Sequence, residues 1–185
     1  MSSSLMKKLK SFFTNTVLII IFISFIGVNL WMQFGVGGIS DIKYVSGGKT
    51  IPDINLYQTV DNLSETLTAF GAQGRVYYLR YQFRDFIYPI TYGLLLMGLL
   101  YRMIKPRSIN FWVFLPWIAV GFDFIENYYL RVIFYDYPEI YSSKVAIASW
   151  ATSLKWFFIL FSILIFLLAY IKRRRKNIAL ESKTV

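Results

Sequence analysis

The chain has 185 residues, of which 56% are hydrophobic and 19% aromatic, and only 16% are charged, against roughly 25% in an ordinary soluble domain. Neither cysteine nor histidine occurs, which excludes a disulfide framework, thiol redox chemistry and the usual ligands of zinc, haem and copper. No cofactor or metal is expected, and any proton chemistry must fall to carboxylates, Lys or Tyr. The formal charge of +10 does not point to a nucleic-acid partner. The basic residues stand at the ends of apolar runs, in "MKKLK", "YRMIKPR" and "KRRRKN", where topology signals are found.

These features predict an all-α integral membrane protein with a single domain, residues 1–185: a four-transmembrane-helix bundle with both termini cytoplasmic. The first span is placed at about 12–33, in "SFFTNTVLIIIFISFIGVNLWMQFG". Its apolar stretch of about 20 residues suits a hydrocarbon core of ~30 Å. It exceeds the roughly 7 to 15 apolar residues of a signal peptide, so it reads as an uncleaved span.

An outer loop follows at about 35–80. Its opening, "GVGGISDIKYVSGGKTIPD", carries paired glycines and a proline and reads as loop and turn. Val60, Leu63, Leu67 and Phe70 then recur at spacings of three, four and three. That pattern predicts a short amphipathic helix, lying either in the outer headgroup layer or against the bundle, with Gly71 at its C-terminal cap. "GAQG", 71–74, reads as a helix junction, and "NLS" at Asn62 matches a glycosylation acceptor only in a secretory lumen.

From Ala72 a second helix is expected to run into the second span, about 84–104. Along it Arg75, Tyr78, Gln82, Asp85, Pro89 and Tyr92 keep to one face, a polar stripe that should point into the protein and away from lipid. The third span, about 111–134, contains "GFDFIENYYLR", in which Asp123, Glu126, Asn127 and Arg131 again share a face. The fourth, about 146–171, carries Ser149, Thr152 and Lys155 at three-residue spacing. Pro89 and Pro116 fall inside these spans and predict a bend in each.

A rise of about 1.5 Å per residue puts Lys155 roughly 13 to 14 Å below the outer end of its span, Glu126 roughly 12 Å and Asp123 roughly 16 Å. At matched depth Lys155 is expected to face Asp123 or Glu126, because an isolated charge there costs at least ~2.5 to 3.5 kcal/mol. Asp85 is shallower and is expected to meet Arg131 or Arg84.

The functional expectation is a buried polar pocket in the outer half of the bundle, formed by Arg75, Tyr78, Gln82, Asp85, Tyr92, Asp123, Glu126, Asn127, Arg131, Thr152 and Lys155. It would bind a small amphipathic or lipid-like molecule. Were the protein an enzyme, a carboxylate would act as general acid or base and Lys155 or Arg75 would hold an anionic group. Two alternatives stand beside it. One is proton, ion or small-solute transport, which four short helices would perform as a homo-oligomer. The other is an accessory or assembly subunit with a membrane-protein partner, in which the charges form a purely structural network. Membrane lipid is the expected surrounding in every case, and a bacterial inner membrane suits a small, lysine-rich, cysteine-free chain.

Overall fold

Thr14 divides the N-terminal apolar run into two helices, α1 (Ser3–Phe12) and α2 (Asn15–Phe34). Its hydroxyl accepts from the Val17 N–H at 3.2 Å, the bond that satisfies one orphan donor at a helix start. The first apolar helix therefore begins three residues later than the expected 12–33, and Phe13, between the two helices, is buried against Met97 and Val113. The molecule is described here by a computed structural model covering residues 3–104 and 111–181, and every element among the described residues is helical. Lys105 and Arg107, counted above among the topology signals, lie outside these residues.

The segment expected to be loop after α2 contains a further helix, α3 (Ile39–Val45). Ile39, Ile42 and Val45 recur every three residues, and Ile42 is wholly buried. A single 3₁₀ turn follows at Pro52–Ile54. Helix α4 (Val60–Asp85) starts at Thr59, whose hydroxyl accepts from the Asn62 N–H at 3.2 Å. It kinks at Gly71, where φ is 59° and ψ is −170°, a region essentially restricted to glycine. Leu63, Leu67 and Phe70 are buried together with Tyr78, Ile133 and Phe134. Of the two placements expected for this amphipathic face, the structure shows packing against the bundle.

The expected continuous helix through residue 104 is broken. Helix α4 ends at Asp85, and α5 spans Tyr88–Ile104. Pro89 explains the break: it has no N–H to donate to the Asp85 carbonyl, and its ring would clash with that carbonyl in an unbroken helix. Pro89 and Pro116 thus do not bend helices from within. Both fall in a first turn, Pro116 in that of α6 (Leu115–Asp136), where proline is tolerated. The last helix, α7 (Ser142–Glu181), is 40 residues long, longer at both ends than the expected 146–171.

Helix α6 packs chiefly on α7, while α5 lies against α2, α6 and α7, and α3 lies against α4. Three helical stretches among the described residues are long and apolar enough to cross a membrane: Asn15–Val45, Val60–Ile104 and Ser142–Ile178. Helix α6 is long enough but carries Asp123, Glu126 and Arg131. The apolar surfaces of α2 and α7 point outward, as at Ile23 (62% exposed) and Leu160 (61%). Contiguous apolar surface of that kind suits a lipid surrounding and not water.

Candidate functional site

One wall of the site is the face of α6 that holds Asp123, Glu126 and Asn127, all three buried. Opposite, α7 presents Ser149, Thr152 and Lys155, also buried. Lys155 Nζ contacts Glu126 Oε2 directly and lies 3.7 Å from Asp123 Oδ1. Thr152 Oγ1 donates toward Glu126 Oε1 at 2.7 Å, with the Ala148 carbonyl at 2.9 Å. The ammonium is thereby held between two carboxylates, both of its direct ion-pair partners coming from α6.

The second wall comes from α4 and α5. Tyr92 donates its hydroxyl proton to Asp123 Oδ2 at 3.0 Å. Asn127 Nδ2 donates toward Asp123 Oδ1 at 3.3 Å and to the Asp85 carbonyl at 3.2 Å. That second bond satisfies a carbonyl freed by the break before Pro89. Gln82 Nε2 donates to the Asn127 carbonyl at 3.3 Å, so α4 and α6 are tied in both directions.

A third contributor, Asp53, was not among the expected residues. The Pro52–Ile54 turn inserts it between the walls, where Tyr78 donates to its Oδ1 at 2.5 Å. Burial pushes its carboxyl above the ordinary range and outweighs the attraction of Lys155 and the hydrogen bond of Tyr78. The turn is anchored through Gln58, whose Nε2 donates to the Pro52 carbonyl at 2.8 Å and whose N–H donates to Ser149 Oγ at 2.9 Å. The available signal was a carboxylate set among apolar residues in "IPDI", but loops carry no periodicity by which to orient it.

The expected arginines stand apart from this cluster. Arg75 donates to the Leu67 carbonyl at 3.0 Å and lies over the Tyr137 ring at 4.7 Å. Arg131 lies 5.9 Å from the Tyr135 ring. Arg84 closes the C-terminal end of α2, donating to the carbonyls of Trp31 (3.1 Å), Gly35 (3.4 Å) and Val36. The pairing of Asp85 with Arg131 or Arg84 is therefore not formed.

Between α2, α5 and α7, beneath the Pro52–Ile54 turn, lies a cavity of about 310 Å³. Asp53, Asp85, Asp123 and Lys155 line one part of it; Phe25, Leu95, Leu96, Ile159 and Ile163 line another. Tyr81, Tyr88, Tyr92 and Trp156 also face it. The remaining expected residues, Tyr78, Gln82, Glu126, Asn127 and Thr152, form the hydrogen-bonded layer that supports this lining. Three buried atoms of lining residues, Asp53 Oδ2, Asp85 Oδ2 and Trp156 Nε1, have no hydrogen-bond partner. No three acidic side chains among the described residues are grouped to hold a metal ion. Compared with known proteins, the chain matches no family model, no curated protein and no solved structure.

Proposed function

We propose that this chain is a four-span membrane protein that binds a small amphipathic molecule in the cavity between α2, α5 and α7. The observation that carries the reading is the cavity's composition. Charged groups and an apolar lining share one space, which suits a molecule with a polar head and a hydrocarbon body. On this reading α6 is the fourth span, and its acidic residues are tolerable in lipid because Asp123 and Glu126 are turned inward onto Lys155. Both termini are cytoplasmic. Support comes from the grouping of basic side chains at one end of the bundle: Arg102 Nε donates to the Phe13 carbonyl at 3.2 Å, and Arg173 Nη1 donates to the Arg102 carbonyl at 3.4 Å.

Part of the cluster is self-satisfied, as a purely structural network would be. Asp53 and Asp85 line the cavity and each keeps a buried oxygen without a hydrogen-bond partner, which favours a ligand over that alternative. Native mass spectrometry of the protein extracted in mild detergent tests the proposal. A bound small amphiphile should appear as an added mass that disappears when Leu96→Trp fills the cavity. An unoccupied protein, or an added mass indifferent to Leu96→Trp in a folded variant, would refute it.

A further inference from the structure

The charge balance of the cavity goes beyond this reading, and rests on it, by indicating which polar head it takes. Lys155, the only basic lining residue among the described residues, is already held by Glu126 and Asp123. An anionic head would have to compete with those two carboxylates for one ammonium. It would also stand near Asp53 and Asp85, so like charges would oppose it. The acidic side is in surplus: Asp53, Asp85, Asp123 and Glu126 surround a single lysine.

Two of those four carboxyls are not used within the protein to their full capacity. Asp53 and Asp85 are each 4% exposed, both line the cavity, and each has an Oδ2 with no partner. Opposite a cation each carboxyl is held ionised and its oxygens are only acceptors, so in this acidic surrounding a cationic donor is the partner both can take. No three acidic side chains among the described residues are grouped to hold a metal ion, and the apolar part of the lining favours an organic cation over a bare ion. The remaining lining suits one. Tyr81, Tyr88, Tyr92 and Trp156 supply aromatic faces, the surface that attracts ammonium groups electrostatically.

We infer that the cavity receives a protonated alkylamine, its N–H groups donating to Asp53 and Asp85 and its chain lying against Leu95, Leu96, Ile159 and Ile163. A quaternary ammonium is the poorer fit because it has no N–H to give to either oxygen. At roughly 30 Å³ for a water-sized group, the cavity of about 310 Å³ encloses on the order of ten such groups. That is room for an ammonium head and the first part of a chain. The rest of a longer chain leaves between α2 and α7, both of which line the cavity.

The test uses three probes of one chain length, decylamine, decanol and decyl sulfate, titrated into the full protein in a non-ionic detergent. Thermal unfolding is followed by tryptophan fluorescence. Decylamine should raise the unfolding midpoint at a concentration at least about tenfold below that needed for decanol or decyl sulfate, equivalent to about 1.4 kcal/mol of selectivity. Asp53→Asn and Asp85→Asn should each weaken the decylamine response several-fold and leave that to decanol unchanged. Should Asp85→Asn fail to fold, Asp53→Asn carries the comparison. An equal or stronger response to decyl sulfate, or a decylamine response untouched by the substitutions, would overturn the amine assignment while leaving an amphiphile in the cavity. No response to any of the three probes, from protein with native near-ultraviolet circular dichroism, would overturn the amine assignment and the amphiphile reading together.

Discussion

Lys155→Met is the substitution that the charge cluster resists most. The side chain is 7% exposed, its Nζ contacts Glu126, and Asp123 Oδ1 is 3.7 Å away. With an effective dielectric constant of about 20, Coulomb's law gives about 4.5 kcal/mol for a unit pair at 3.7 Å. Methionine fills much the same volume, so the loss is electrostatic: two buried carboxylates would be left without their cation. Removing one partner of a buried pair typically costs about 3–5 kcal/mol. At roughly 2–4 °C per kcal/mol for a chain of this size, the midpoint of thermal unfolding should fall by roughly 6 °C or more. The assay is tryptophan-monitored unfolding in mild detergent of the parent, Lys155→Met, Glu126→Gln and the double variant. The double variant should lose less than the sum of the two singles, because neutralising Glu126 removes part of the charge that Lys155→Met uncovers. Strict additivity, or a Lys155→Met protein as stable as its parent, would refute the reasoning.

Other substitutions examine the surrounding framework. Gly71→Ala should destabilise by about 1–3 kcal/mol, since the φ of 59° and ψ of −170° at the α4 kink fall where only glycine is unstrained; chemical denaturation would show it, and a neutral result would contradict the kink. Gly93→Ala would bring a methyl to 2.6 Å from Val120 Cγ2, costing about 1–3 kcal/mol by overpacking, and Val120→Ala in the same chain should restore part of the loss. Arg84→Met removes a charged donor from the three carbonyls at the end of α2. Hydrogen–deuterium exchange should quicken at Trp31–Val36 and not in α6.

Asp53 gives the pH dependence its sign. Its carboxyl is raised above the ordinary 3.8 by burial, so the folded protein holds that proton to higher pH than the unfolded chain. The stability it contributes is full below the ordinary value and is lost as pH rises through the raised one. Asp53→Asn should flatten this fall, read as the change in unfolding midpoint from acid to neutral pH; an unaltered slope would refute the assignment.

Helical spacing alone carried much of the site. The intervals of three and four from Tyr78 through Gln82 and Asp85 to Tyr92 identify a face that the structure buries, even though the helix breaks within it. Counting rise per residue from two separate span ends put Lys155 level with Glu126, and the two side chains meet. Spacing could not show where a stripe leaves the core. Arg75 and Arg131 continue the same intervals, but both stand over tyrosine rings outside the cluster. Asp53 was illegible for a different reason: its position depends on a loop folding back over α7 through Gln58 and Ser149, contacts remote in sequence. Helix α3 was hidden by the glycines on either side of it, which made seven helical residues resemble part of a long turn.

The interruption at Phe86–Ile87 also separates two rotational registers. In a continuous helix, inserting one residue turns everything beyond it by about 100° relative to everything before. Here two residues outside either helix stand between Asp85 and Tyr88, bridged by turn hydrogen bonds from Phe86 to Gln82 and from Ile87 to Arg84, so this junction can absorb part of such a rotation before it reaches α5. The aim of Asp85 is thereby less tightly tied to that of Tyr92 than it would be in one unbroken helix. Uninterrupted α6 has no such freedom: Asp123, Glu126 and Asn127 turn as a unit, and a one-residue shift would carry all of them out of reach of Lys155.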